Sequence, residues 1–486
     1  MNILFILYGD FTTNTSNPIA LFCEELTKLG HTCAVAVPFG VETSCLHEFK
    51  SFLPLSFDEI FKSGGRVFPN DAMADVIHAS TPRINIEEFL KNYLSRWPTP
   101  LIIYLEDNEY WISKDYLGLD DDALLSLTNS EIRELLPDCL SHPFEYCDLI
   151  ILADSIILIQ DKLMEDVPSF IQSRVIPWGV DQSKFSPSIK PSEKWSQYFN
   201  LIDDDNVIVY HGGINGFTHG PILDLCKAIE ILNKSGISCK LIRTGINPIN
   251  FWEELSPDAK AYIFDAGVIN KDELPSLLAL ADLYVQPGRI TPFEDLRMPS
   301  KLVEFFSMGK PVVLPNVNIA SMLKDDFDAL ILQTGEPDEI ANLCQKIFSN
   351  QAMGNKLGLN GRRFAEKHFN LRVQALKMEL VLRDAIAKFD KSLSKDVWET
   401  ARTKGIAFAS IHKLEIMLNL NAYNCQEVTR YLLTRIHLQL ERNFRHDMRH
   451  QGPGLLESSE EVRNRNLNFR GKLLQLQSWF MKMFHL

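Results

Sequence analysis

No apolar run in this 486-residue chain approaches the ~20 consecutive residues that a helix needs to cross a bilayer. The opening MNILFILYGD has neither a basic leader nor a small-residue cleavage site and passes straight into a strand pattern, so a cytoplasmic protein is expected. Cysteine patterning is absent too. The nine cysteines form no CxxC pair, and an odd, scattered set fits reduced, mostly buried thiols better than a disulfide framework or a zinc site. A net charge of −14 argues against broad nucleic-acid binding. The composition also lacks the marks of disorder: with 45% hydrophobic and 23% charged residues the chain is long enough for two or three domains with full cores.

Charge is unevenly spread. From Lys391 onward there are 15 Lys and Arg against 9 Asp and Glu, a balance of +6, which leaves −20 for residues 1–390. The basic tail leaves room for an acidic partner or an anionic membrane surface.

What is present is alternation. NILFILYG reads as a strand, 18-PIALFCEELTKLG-30 as a helix stopped by Gly30, and HTCAVAVP as a second strand, which together make a βαβ unit. Further strands read at 75-DVIHAS-80, 101-LIIYLE-106 and 148-DLIILA-153, so a first doubly wound domain is expected over 1–187. After the polar linker 186-SPSIKPSEKWSQ-197 the pattern restarts with NVIVYHGG, which predicts a second such domain over 198–369. Two such domains in tandem leave a cleft between the carboxyl ends of their sheets, where a ligand is expected. Residues 370–390 are expected to cross back to the first domain as a helix, and 391–486 to form a basic helical extension.

One segment poses a chemical question. In 299-PSKLVEFFSMGKPVVLP-315, Glu304 sits on a helix whose other positions are almost all apolar. A half-buried carboxylate needs partners, and the spacing from Ser300 is wrong for a capping box. A pair of ligand hydroxyls is one candidate partner; a neighbouring backbone group is the plainer one. The amides at the start of the same helix are positioned to receive an anion.

Four stretches, 28-KLGHTCAVAVP-38, 175-VIPWGVDQSKFSP-187, 281-ADLYVQPG-288 and 299-PSKLVEFFSMGKPVV-313, together resemble the retaining glycosyltransferases of the GT-B fold (group 1, family 4-like). The resemblance covers roughly residues 1–390. It implies two Rossmann-like domains facing a cleft, a UDP- or GDP-sugar as donor, a hydroxyl acceptor of unknown identity, and no required cofactor or metal. By resemblance Glu304 holds the ribose hydroxyls and the backbone of Ser300, Lys301 and Leu302 binds the diphosphate.

Two departures from the family pattern stand out. The acid that usually precedes this Glu by eight positions is Leu296 here, and Glu294 and Asp295 are the nearest substitutes. The Arg and Lys of the first donor-domain loop are also missing: 211-HGGINGFTHG-220 offers Ile214 and His219 at those positions. Charge stabilisation then falls to His219, Arg289, Arg297 or Lys301, with Gly212 and Gly213 letting the backbone approach a phosphate. On the acceptor side, Gly9 and Asp10 end the first strand, and Glu106 and Asp107 end another at the same rim as candidates to orient a hydroxyl. His78 is also acceptor-side by family likeness, although a structural histidine is the plainer reading. The acidic triplets 120–122 and 203–205 read as surface.

Such a chain is expected to transfer a hexosyl-type sugar from a nucleoside diphosphate to an acceptor with retention of anomeric configuration, in polysaccharide or glycoconjugate synthesis. A sugar-nucleotide epimerase of the same architecture and a degenerate, non-catalytic nucleotide-sugar-binding subunit are the competing readings. In the tail, Phe469, Leu473, Leu476, Phe480 and Met483 follow helical spacing on one face. That stripe fits packing or self-association, and alternatively peripheral contact with the inner face of a membrane.

Overall fold

The computed structural model describes residues 1–47, 51–214, 216–247, 251–419 and 425–450. The apolar stripe at 469–486 lies outside the described residues. In the first half, β1 (Asn2–Ile6), β2 (Thr32–Val37), β3 (Leu53–Ser56), β4 (Val76–Ser80), β5 (Leu101–Leu105), β6 (Ser155–Leu158) and β7 (Ser173–Val175) form one sheet in the order β3-β2-β1-β4-β5-β6-β7. All its pairings are parallel, with Ile3 opposite both Cys33 and Val76. Helices cover both faces, which is why β1 and β5 are near-continuous apolar runs rather than alternating ones, and why His78 and Ser80 of β4 are buried as well.

One strand assignment from sequence is corrected. The run 148–153 belongs to the helix Tyr146–Leu152, and the strand is the next run, β6. Two apolar runs stand back to back here, and a fully buried helix and a fully buried strand have the same composition over so short a length.

In the second half, β8 (Asn206–His211), β9 (Cys239–Thr244) and β10 (Ile263–Asp265) form a parallel three-stranded sheet, and β11 (Tyr284–Val285), β12 (Val312–Pro315) and β13 (Leu330–Leu332) form another. A bridge between Ile208 and Leu283 joins them. The Val207 amide donates to the Asp282 carboxylate at 2.9 Å, and the Asp282 amide returns a bond to the Val207 carbonyl at 2.8 Å.

The helix Leu371–Lys388 packs on the first half, with Glu379 2.9 Å from His31 and Arg372 3.3 Å from Glu25. Three further helices, Lys391–Lys404, Ile406–Asn419 and Cys425–His450, continue over the same half. Part of the basic charge of the described extension is met inside the molecule. Arg435 lies 2.5 Å from the buried Asp148, Lys413 donates to the carbonyls of Leu152 and Ala153, and the Arg442 guanidinium stands 4.1 Å from the centre of the Phe144 ring. Among the described residues no helix is long and apolar enough to cross a membrane.

Candidate functional site

The loops that follow β1, β5, β8, β9, β10 and β11 converge on a cleft of about 1490 Å³ between the two halves. This is where parallel sheets place ligands, at the carboxyl ends of their strands. The first half contributes Tyr8, Asn17, His47, Glu106 and Asp107 to its wall, and the second contributes His211, Gly212, Glu294, Lys301 and Glu304.

On the second half's side, the helix Lys301–Ser307 carries two of these groups. Its apolar positions Leu302, Val303, Phe305 and Phe306 are buried, which fixes the direction in which Lys301 and Glu304 point. Glu304 Oε2 lies 2.6 Å from His211 Nε2, a close contact without the alignment of a good hydrogen bond. Lys271 faces the same carboxylate and reaches across the cleft to donate to Asn17 Oδ1 at 3.3 Å. The Lys301 ammonium donates to the Tyr210 hydroxyl at 3.2 Å and stands 4.7 Å from the centre of that ring. A Cβ on Gly212, whose φ is +128°, would come within 2.9 Å of Lys301 Cε. Lys301 therefore lies directly over the first glycine of the pair.

The helix has only seven residues, so its dipole is weak, and the Leu302 amide is already committed to the Pro299 carbonyl at 3.1 Å. Positive charge at this point comes from the Lys301 side chain.

Glu294 and Asp295 part company. Glu294 lines the cleft, and burial raises its carboxyl above the usual range against the pull of Arg297 and Lys301. Asp295 instead pairs with Lys162 of the first half at 2.5 Å and accepts from the Asn318 amide at 2.8 Å. Arg297 lines the cleft between two carboxylates, 3.7 Å from Asp107 and 3.5 Å from Glu294, with its guanidinium also over the Phe293 ring.

On the first half's side, Glu106 follows β5 directly. It is 5% exposed, and Oε2 accepts from Thr15 Oγ1 at 2.5 Å while Oε1 has no hydrogen-bond partner. Burial pushes its carboxyl up to about 8. Asp107 is raised by burial as well, although Arg297 and Arg83 oppose the shift.

Five expected residues stand elsewhere. His219 lies in the first turn of the helix Gly216–Lys234, and the helical phase sends its ring to Glu254 at 2.8 Å. Arg289 is held by Asp224 at 2.5 Å and by Glu336. Neither forms part of the cleft wall. His78 is fully buried in β4 between the rings of Phe5 and Tyr104, both ring nitrogens are without partners, and burial pulls it down to about 4. It is a neutral core residue behind the cleft. Gly9 and Asp10 shape the first loop without lining the wall: a Cβ on Gly9 would meet Thr13 at 2.6 Å, and the Asp10 carboxylate accepts from the Thr12 amide at 2.9 Å. That turn brings Thr12, Thr13 and Asn14 to the cleft.

The acidic triplets are structural. Asp120 caps the helix Asp121–Ser126, and Asp205 accepts from the Ile202 amide at 2.9 Å. Among the described residues no cluster of three or more His, Cys, Asp or Glu side chains is arranged to hold a metal.

Sequence reasoning missed His211, Lys271, His47 and Thr15 as wall or supporting residues. His211 carried a signal, since it ends a buried strand next to a glycine pair. Lys271 and His47 carried none, because their role depends on what stands across the cleft.

Residues 205–350 match the sequence family described as glycosyl transferases group 1. TuaH of Bacillus subtilis (strain 168), named for glycosyltransferase work in teichuronic acid biosynthesis, is 27% identical over 82 residues, 17% of this chain. That match spans about a fifth of the relative's length, 21%. Among solved structures, Anabaena HepE in complex with UDP and glucose superposes with a TM-score of 0.60 at 14% identity, over 79% of this chain and all (100%) of HepE. Sucrose-phosphate synthase of Thermosynechococcus elongatus gives 0.59 at 15% identity over 80% of this chain and 100% of its own. WaaG, a glycosyltransferase involved in lipopolysaccharide biosynthesis, gives 0.56 at 14% identity over 78% of this chain and 99% of its own. The fold is GT-B: two doubly wound α/β halves facing a cleft, followed by a helical C-terminal region.

Proposed function

We propose that this chain is a retaining glycosyltransferase that moves a sugar from a nucleoside diphosphate to an acceptor hydroxyl. The observation that carries the reading is the pair Lys301 and Glu304 on one short helix, both in the cleft wall and both facing the strand-end segment Tyr210–Gly212. A carboxylate accepts from two vicinal ribose hydroxyls, and an ammonium above a glycine pair neutralises a diphosphate that must lie close to the backbone. The two groups are three residues apart and so stand on one face of the helix.

In this reading the donor lies along the second half, with Glu304 on the ribose, Lys301 on the diphosphate and Glu294 toward the sugar. Arg297 is shared between two carboxylates and serves to hold the sugar-side loop. The acceptor approaches from the first half, where Glu106 and Asp107 face the cleft. No protein nucleophile is required when the departing phosphate oxygen takes the acceptor proton on the same face. Catalysis then consists of positioning and charge stabilisation.

Thermal stabilisation across a panel of nucleotide sugars tests donor binding. Uridine donors come first, because similar folds are known in complexes with UDP and UDP-glucose. A ligand at 100 times its dissociation constant adds about 2.7 kcal/mol. Proton NMR of the anomeric product then reports retention. No shift with any nucleotide sugar, or an inverted product, overturns the reading.

A further inference from the structure

We propose that the buried ion pair of Arg243 and Asp265 is a positioning device for the donor: it holds the backbone of Gly212 in place beneath Lys301. This rests on the donor reading above and extends it to two residues that line no part of the cleft wall.

Arg243 is out of keeping with its surroundings. It is the fifth residue of β9, follows the buried Leu241 and Ile242, and is itself 1% exposed. Its guanidinium stands 5.7 Å from the centre of the fully buried Phe251 ring. A leucine or isoleucine would fill such a place without electrostatic cost, whereas a buried guanidinium must be matched by its partners. The match is incomplete. Nη1 donates to Asp265 Oδ2 at 3.0 Å and Nη2 to the Gly245 carbonyl at 2.7 Å, while among the described residues Nε has no hydrogen-bond partner. A pair of this kind adds little stability over an apolar pair of similar volume. What it supplies is direction, because a planar guanidinium fixes the groups bound at its two ends.

Those groups belong to the turns that follow β9 and β10. Nη2 holds the Gly245 carbonyl, and the second carboxylate oxygen of Asp265, Oδ1, accepts from the Gly267 amide at 2.8 Å. The turns are tied to each other as well: the Gly245 amide donates to the Gly267 carbonyl at 2.8 Å, and the Thr244 hydroxyl donates to the same oxygen at 2.5 Å.

The Gly245 turn in its turn packs against the loop after β8. A Cβ on Gly245, whose φ is +122°, would come within 2.7 Å of the Gly212 carbonyl carbon and oxygen, and the Gly212 amide donates to the Thr244 carbonyl at 2.9 Å. Gly212 is therefore held between the Gly245 turn and the Lys301 side chain. Direct contacts run from Asp265 and Arg243 through Gly245 to Gly212 and Lys301, so a shift of the Gly245 turn is passed to the place where the diphosphate lies in the donor reading.

The test uses the full-length protein and UDP, or GDP where that stabilises the wild type more, with affinity read by calorimetry. Arg243→Met should lower nucleotide affinity about tenfold. That variant also strands Asp265 and melts earlier, so the deciding protein carries Arg243→Met together with Asp265→Leu. This compensated pair should melt close to the wild type while its nucleotide affinity stays about tenfold down. A compensated pair that binds the nucleotide as tightly as the wild type overturns the proposal and leaves the ion pair a matter of stability.

The route through Lys301 is read by a double-mutant cycle. In a Lys301→Ala background the compensated pair should cost less than about twofold in affinity, because the group against which it sets the backbone is gone. A loss as large as in the wild-type background would show that the pair acts by another route and overturns the assignment. Absence of binding by the wild type itself strikes the donor reading, whereas wild-type binding with an indifferent compensated pair strikes this inference alone.

Discussion

At the scale of single residues, the donor wall is a set of charges held off one another by geometry. Glu304 is 2.6 Å from His211 and faces Lys271, so a ribose must compete with both side chains for the carboxylate. Glu304→Gln keeps the volume and loses the charge, and UDP affinity measured by calorimetry should fall about tenfold with an unchanged melting curve for the free protein. Lys301→Ala should cost about 100-fold in turnover, the usual scale for removing one preorganised charge from a departing group, whereas His219→Ala should cost little. Equal losses in the two variants would return the diphosphate to His219.

His78 gives a residue-scale prediction about stability. Its folded value is about 4 against 6.5 in a free chain. Below pH 6.5 the unfolded chain binds a proton that the folded protein refuses, so stability falls as pH drops from about 6.5 toward 4 and is unaffected above that range. The cost is about 1.4 kcal/mol for each pH unit within that window. His78→Phe removes two unpartnered nitrogens from an aromatic stack, so urea midpoints at pH 5 and pH 7 should lie closer together than in the wild type. An unchanged gap would place the acid sensitivity in His47 and His142, which are also pulled down to about 4.

At the scale of elements, the C-terminal helices complete the first half. Asp148 is buried in the helix Tyr146–Leu152, and its partners Ser410 and Arg435 come from two helices of the extension. Removing one member of a buried ion pair strands the other, so Asp148→Ala or Arg435→Ala should each lower stability by about 3–5 kcal/mol. Replacing both with Leu and Met should cost less than either single change. A double variant as unstable as the sum of the two would mean that the pair is not coupled. The same pairing explains how an acidic body carries a basic tail: up to residue 450 much of the charge that suggested an outside partner meets this protein's own carboxylates and carbonyls.

Across the whole molecule, the two halves are tied along one side of the cleft by Lys162 to Asp295 at 2.5 Å and by Gln160 donating to the Asp295 carbonyl at 3.1 Å. Arg297 bridges toward Asp107 at 3.7 Å. These contacts are partly exposed, so each is weak and sensitive to salt. Lys162→Ala should enlarge the radius of gyration in X-ray scattering of the ligand-free protein and raise the donor KM by about fivefold at most. Scattering curves that overlay those of the wild type would show that apolar packing at the junction alone sets the angle. Gly179 is part of that packing, since a Cβ there would lie 2.5 Å from Leu371 Cα.

The alternation of apolar strands with amphipathic helices was enough to derive two doubly wound halves and a cleft at their strand ends, because period and turn chemistry are local properties that neighbouring residues write together. Glu304 could be singled out for the same reason: an acid on an apolar helix is visible without knowing the fold. Which acid of the pair Glu294 and Asp295 enters the cleft, and which cation stands over the glycines, was settled only in three dimensions. Adjacent residues on a short turn point in different directions, and whether a charge is available depends on its neighbours across space. Asp295 and Arg289 were plausible in sequence and are occupied in the fold by Lys162, Asp224 and Glu336. His47 and Lys271 were silent in sequence because each acquires its role from the half of the molecule it does not belong to.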